Sequence, residues 1–401
     1  MPPVSLGVLN RFRRQEPRPD RALRRAVEAC DPLAFHRTLP GYCPTPLVSL
    51  PGQARRLGLR EVLVKDEAHR LGLNAFKVLG ASYAVYRFLR RQWEDRQSAP
   101  FGDTLALTPE QRRFFEGATL CTATDGNHGR AVAWSARVVG LPAVIYLPAG
   151  SATARVENIR REGARAEVIN GGYDDAVRQI RNDAAARGWQ IISDTAWPGY
   201  TEIPAWIQAA YTTLFRELEQ TLARPGEPGV DAVIVQGGVG ALAAGAAWHY
   251  AEQYGARRPR LICVEPVGAA CLLASARSPK GTPVPAGNPA PTIMAGLNCR
   301  EVSVAAWPLI RDTFDAFVAI EDDYAVEAMN RYYRPEPGDP RIIAGESGAA
   351  GLAALLALCA DPALADLRSA LGLGPASRVL LLNTEGATDP VGFARAVGAQ
   401  P

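Results

Sequence analysis

Between residues 118 and 195 the chain changes its hydrophobic beat four times. Short apolar runs at Leu120–Thr122, Ala143–Leu147, Ala166–Ile169 and Gln190–Ser193 alternate with helix-period segments at 128–139, 153–162 and 173–187. Short apolar runs separated by longer helices are the signature of βα units around a parallel sheet. The second half repeats the pattern. Ala232–Val235 leads into a helix over 241–251, Leu261–Val264 follows, and Val379–Leu382 reads as a late buried strand. The Pro/Gly-rich stretches 224–229 and 278–291, and the charged stretch Arg334–Pro340, read as surface loops. These patterns predict an α/β chain of two doubly wound, three-layer domains. The expected small domain spans 119–195 and the large one 1–118 with 196–401, sharing one ligand cleft.

Composition narrows the chemistry. A 401-residue chain with 47% hydrophobic residues holds enough apolar surface for two cores. The net charge of +3 is too near neutral to argue for nucleic acid, although arginines cluster in the first 25 residues. Glu16 and Asp20 interrupt that cluster, which argues against a transit peptide. No stretch approaches the ~20 apolar residues of a membrane helix, so a cytoplasmic location is expected. The seven cysteines show no CxxC spacing, and no two of the four histidines stand four apart. No metal centre is expected.

Four short constellations carry polar chemistry. Lys77 follows the loop Leu71–Asn74 and opens the helix-forming run Val78–Leu89. Apolar surroundings disfavour the charged form of a lysine and free its amine to attack an aldehyde. Taken alone, it reads more readily as a lysine snorkelling from a helix start. Thr124-Asp125-Gly126-Asn127-His128-Gly129 follows a strand and suits a carboxylate-holding helix start or an ordinary capped turn. Gln236-Gly237-Gly238-Val239-Gly240 follows another strand and suits a phosphate. The same glycines, with Ala243 and Glu265, also fit a dinucleotide fingerprint, and locally the two readings are inseparable. Thr384-Glu385-Gly386 ends the last strand, where a hydroxyl points into a ligand cleft or merely starts a turn.

In this order, these pieces resemble the fold-type II, tryptophan-synthase-like pyridoxal-phosphate enzymes, and more narrowly the diaminopropionate ammonia-lyases. The resemblance also takes in Leu33-Ala34-Phe35-His36, Thr45-Pro46-Leu47, Val64-Lys65-Asp66-Glu67, Asp194-Thr195-Ala196-Trp197, Thr292 to Leu297 and Glu346-Ser347-Gly348-Ala349. It implies pyridoxal 5'-phosphate joined to Lys77 as an imine, with Phe76 and Asn127 against the cofactor. Gly237, Gly238, Val239 and Gly240 would cradle the phosphate, and Thr384 would face the pyridine nitrogen. It implies elimination of ammonia from 2,3-diaminopropionate by a homodimer acting on a small amino acid, without nucleic acid or membrane.

Asp125 departs from the wider superfamily, whose members acting on hydroxy amino acids commonly carry serine there. A carboxylate is a better partner for a β-ammonium group and can accept a proton. Lys77, Asp125 and Asp194 are therefore the expected catalytic residues, with Thr124, Asp125 and His128 against the substrate. Relatives carry paired cysteines near Cys271 and Cys299, so a disulfide or two reduced thiols are both open here. The rival functions are a serine/threonine-type dehydratase, a nicotinamide-dependent dehydrogenase and a cofactor-binding paralogue without catalysis.

Overall fold

The computed structural model describes residues 5–16, 21–124, 126–222, 229–287 and 290–399. The described strands are β1 (Ser5–Leu9), β2 (Leu47–Ser49), β3 (Glu61–Asp66), β4 (Leu120–Ala123), β5 (Ala143–Leu147), β6 (Arg165–Val168), β7 (Gln190–Ile191), β8 (Ala232–Gln236), β9 (Arg260–Pro266), β10 (Ala316–Ile320) and β11 (Arg378–Asn383). They form two sheets. The chain divides into a larger unit, Met1–Arg21 with Pro44–His69 and Leu214–Pro401, and a smaller one, Ala22–Cys43 with Arg70–Thr213.

The smaller unit holds a parallel four-stranded sheet in the order β6-β5-β4-β7. Its helices are α1 (Lys77–Gln97), α2 (Asn127–Val139), α3 (Thr153–Arg161), α4 (Tyr173–Arg187) and α5 (Glu202–Leu222), the last belonging to it through Thr213. Cys121, Ala123, Val144 and Tyr146 of the sheet pack on Ala176, Ile180 and Ala184 of α4. The βα alternation read from the sequence is present here strand by strand.

This unit is wider than the expected 119–195, because a non-periodic aromatic knot joins further segments to it. The Tyr83 hydroxyl of α1 lies 2.8 Å from the carbonyl of Ala26 and 2.6 Å from that of Cys30. Phe35 stacks on Tyr86 with ring centroids 4.4 Å apart. The buried His36 bonds the Leu79 carbonyl through Nε2 at 3.0 Å and the Thr213 hydroxyl through Nδ1 at 2.7 Å. A carbonyl only accepts, so Nε2 carries the hydrogen and Thr213 donates to Nδ1.

The larger unit has a seven-stranded sheet in the order β1-β10-β9-β8-β11-β3-β2. The five central strands are parallel, and the edge strands β1 and β2 run antiparallel to them. Its helices include α6 (Ala241–Tyr254), α7 (Cys271–Arg277), α8 (Asp322–Tyr333) and α9 (Ala350–Ala360). All of α9 is apolar and nearly all of it is buried against the central strands, as expected of a helix with no polar face. Lys65 of β3 is buried too. Its Nζ donates to Glu217 Oε2 at 2.6 Å and to the Thr45 carbonyl at 2.7 Å. Asn383 donates to Asp66 at 2.7 Å and ties the ends of β11 and β3. The Thr45 and Lys65-Asp66-Glu67 motifs are thus framework. Among the described residues, no single helix is long and apolar enough to cross a membrane, and no cluster of His, Cys, Asp and Glu is arranged to hold a metal ion.

Candidate active site

Lys77 is the first residue of α1, placed there by the turn through Asn74, which has φ +56. Its Nζ donates to Asp194 Oδ2 at 2.7 Å, with both side chains largely shielded from solvent. Burial by itself raises the Asp194 pKa, but the Lys77 ammonium and the His128 ring outweigh it and hold the carboxyl at about 2. His128, in the first turn of α2, donates Nε2–H to the Ile192 carbonyl at 2.8 Å. Burial lowers the pKa of this ring and Lys77 adds to that, against the pull of Asp194. A neutral His128 with its hydrogen on Nε2 leaves Nδ1 a bare acceptor, and Nδ1 has no partner among the described residues. The Thr195 and Tyr211 hydroxyls are likewise buried without a partner among the described residues.

The turn ahead of α2 is organised by Thr124, whose hydroxyl oxygen accepts from the N–H groups of Gly126 at 3.0 Å and Gly129 at 3.2 Å. Gly126 has φ +147, which favours glycine. Asn127 starts the helix. Asp125 lies outside the described residues. Of the residues expected to act, the fold therefore brings Lys77, Asp194 and His128 together, and Thr124 shapes the turn leading to His128.

The larger unit holds the glycine cradle between β8 and α6. Gly238 and Gly240 have φ +63 and +94, and the Gly240 N–H donates back to the Gly237 carbonyl at 3.2 Å. A Cβ on Gly237 would stand 2.7 Å from Glu265 Cγ, and one on Gly240 2.8 Å from Ile310 Cδ1. The first turn of α6 has no side-chain cap, so its N–H groups face outward from a helix start suited to an anion. Ser303 N donates to the Val239 carbonyl at 2.9 Å and fixes the turn. Thr384 is buried at the end of β11, its hydroxyl 3.4 Å from the Ser347 carbonyl.

Sequence reasoning gave Ser347 and Gln236 no role of their own. Gln236 Nε2 donates to the carbonyls of Leu382 at 2.8 Å and Ser347 at 3.2 Å, and Ser347 Oγ accepts from Gly296 N at 3.1 Å. Four stretches more than a hundred residues apart at their extremes thus meet at the cradle. Only their separate motifs were visible in the sequence. Glu265 is also resolved. Its two oxygens accept from the N–H groups of Leu272 and Leu273 at 2.9 and 2.8 Å, so it caps α7 rather than facing a ribose. The dinucleotide reading loses its acidic residue. Cys271 Sγ lies 3.6 Å from the Gly238 carbonyl, Cys299 Sγ lies 3.7 Å from where a Cβ on Gly238 would be, and no disulfide joins the two.

Pyridoxal phosphate needs an amine for its aldehyde, N–H donors for its phosphate and a partner for its ring nitrogen. Within the smaller unit Lys77 is a shielded amine; within the larger, the helix start after Gly237–Gly240 carries uncapped N–H groups and Thr384 a buried hydroxyl. The residues fit the group.

Comparison with known proteins gives the same reading. The family model of the pyridoxal-phosphate dependent enzymes matches residues 38–385. The chain is 43% identical to a diaminopropionate ammonia-lyase of Salmonella typhimurium over 89% of each chain. It is 40% identical to one of Escherichia coli over 88% of this chain and 87% of that one. The crystal structure of the Escherichia coli diaminopropionate ammonia-lyase in complex with an aminoacrylate-PLP azomethine reaction intermediate superposes with TM-score 0.85 at 36% identity, covering 98% and 97% of the two chains. Threonine deaminase isoform 2 of Solanum lycopersicum shares the fold, with TM-score 0.72 at 18% identity over 98% and 97%. With its lysine, its glycine cradle and a match across most of its length, this chain belongs to the pyridoxal-phosphate dependent enzymes, in the branch of the diaminopropionate ammonia-lyases.

Proposed function

We propose that this protein holds pyridoxal phosphate on Lys77 and removes the β-amino group of 2,3-diaminopropionate, D or L, as ammonia, after which water takes the α-nitrogen off the product as a second ammonia and leaves pyruvate. The observation that carries the reading is the buried Lys77–Asp194 pair at 2.7 Å beside a neutral His128. When bound, the cofactor supplies an electron sink for negative charge at the substrate α-carbon.

The chain's own residues do the rest. The N–H groups after Gly237 hold the phosphate, and the Thr384 hydroxyl meets the ring nitrogen. Asn127 and Phe76 contact the cofactor ring. The Lys77 amine takes the α-proton of the L-isomer and becomes an ammonium, which Asp194 stabilises. Asp125 takes the α-proton of the D-isomer from the other face. Thr124 and His128 line the substrate side.

The charge state of Asp194 favours an amine leaving group. A β-ammonium departs as neutral ammonia and needs no added proton, whereas a β-hydroxyl needs a donor. A carboxyl held ionised with a pKa of about 2 is no such donor at neutral pH. A homodimeric, cytoplasmic enzyme of amino acid breakdown is the setting we infer from the family resemblance.

The test is an absorbance spectrum of the purified protein, borohydride trapping, and pyruvate detection with D- and L-diaminopropionate beside serine and threonine. The expected result is covalent cofactor at Lys77 and pyruvate chiefly from diaminopropionate. Failure to trap cofactor at Lys77, or faster turnover of serine, overturns the proposal. Asp125→Asn should depress D turnover more than L, and equal losses would remove its assignment as the D-side base.

A further inference from the structure

One buried polar group near Lys77 has no place in the scheme above. Tyr211 of α5 is fully buried, and its ring packs on Phe76, the residue before Lys77, with centroids 4.7 Å apart. Its hydroxyl rests against Gly80, one turn beyond Lys77. A Cβ at position 80 would stand 2.7 Å from that oxygen and 2.8 Å from Cζ. Glycine at 80 therefore makes room for a tyrosine whose hydroxyl has no hydrogen-bond partner among the described residues.

A buried hydroxyl left unpaired costs about 1–3 kcal/mol, and phenylalanine would pack the same ring without that cost. The hydroxyl therefore answers to something other than packing. Burial raises its pKa, while Lys77 pulls it down and Asp194 pushes it up, so it lies within electrostatic reach of both and stays protonated at neutral pH. It is a donor in waiting.

We propose that Tyr211 is a positioning residue for Lys77, its hydroxyl donating to the lone pair of the uncharged amine when that amine leaves Asp194. A donor to a lone pair favours the neutral form, whereas the Asp194 carboxylate favours the ammonium. The described groups that face Lys77 are Asp194 from the segment after β7, His128 from α2 and Tyr211 from α5. Asp194 raises the proton affinity of the amine, and the Tyr211 hydroxyl works the other way. The hydroxyl thus keeps part of the amine population in the proton-accepting form at neutral pH. This rests on Lys77 being the reactive amine.

The test uses Tyr211→Phe and, at position 211 alone, 3-fluorotyrosine, a better donor of nearly the same shape. The rate of cofactor uptake by the cofactor-free protein is followed against pH, since only neutral Lys77 reacts. The expected midpoint of Tyr211→Phe moves up by about half a pH unit or more, and that of the fluorotyrosine protein moves down. In the loaded enzyme, kcat of Tyr211→Phe should fall about tenfold with KM nearly unchanged, a loss of an interaction made after substrate binds. Unmoved uptake midpoints in both proteins, with kcat within about twofold of the parent, overturn the proposal. Absence of borohydride trapping at Lys77 in the parent protein instead defeats the functional reading, so the two failures are distinguishable.

Discussion

Asp194, after β7 in the smaller unit, and Glu265, at the end of β9 in the larger, are both buried carboxyls, yet they are pushed in opposite directions. Burial raises both. Lys77 and His128 reverse the effect at Asp194 and hold it at about 2, whereas at Glu265 the backbone N–H donors and the Cys271 thiol do not, and it rises to about 7. Hydrogen bonds from N–H groups and a thiol do not offset the lost hydration of this carboxylate; an ammonium at 2.7 Å, helped by the His128 ring, does. The smaller unit keeps a charged pair at Lys77 and Asp194, whereas the buried acid of the larger is occupied in capping a helix.

The strongest way to break the comparison is Lys77→Ala. Turnover should fall by a factor of about 10³ or more, borohydride trapping should vanish, and the Asp194 pKa should climb towards that of Glu265. Carbon NMR of the labelled carboxyl checks that rise; an Asp194 still near 2 would mean that its anion is held by something other than Lys77. Asp194→Asn comes next. Stranding a buried ammonium should destabilise the cofactor-free protein by about 3–5 kcal/mol in urea unfolding, and a loss below about 1 kcal/mol would show the pair to be hydrated.

The pH responses sharpen the same contrast. The Asp194 pKa is depressed in the fold, so its contribution is full above the unfolded value of 3.8 and is lost as pH falls through about 2. That contribution is about 2 kcal/mol. The Glu265 pKa is raised, so its ionised form burdens the fold above pH 7, and the burden lifts as pH falls from 7 towards 4.5. The smallest expected effect is therefore Glu265→Gln. It should flatten the stability profile between pH 5 and 8 by about 1–2 kcal/mol, measured by denaturant melts at both ends. An unchanged slope would show that Glu265 does not titrate there.

The sequence made the parallel strands and their helices legible because hydrophobic alternation is a local property. Leu120, Ala143 and Ala232 announce their strands through their immediate neighbours. The glycine cradle was legible for the same reason, although its ligand was not. Nothing local marks Tyr211, which reads as one more buried ring in an apolar helix until Gly80 and Phe76 are placed against it. The breadth of the smaller unit was hidden likewise, since Tyr83, Ala26, His36 and Thr213 meet through single polar contacts without period. Glu265 stood at the spacing of a ribose-binding acid, and only the position of Leu272 and Leu273 showed where its oxygens go. Contacts across sequence distance carry no periodic signature.

The interior strand that joins β8 to β3 in the larger sheet, β11, is the last of the described strands to leave the ribosome. Until residues 378–383 emerge, β8 and β3 have no neighbour on their facing sides, and the wholly apolar α9, made just before, lacks part of its cover. A nascent chain released or stalled short of that point would carry two half-sheets with open edges and a bare greasy helix, a species prone to stick to its neighbours. Assembly of the larger unit therefore waits for residues 378–383, and it is at this step that recombinant production would most benefit from slow translation or added chaperones.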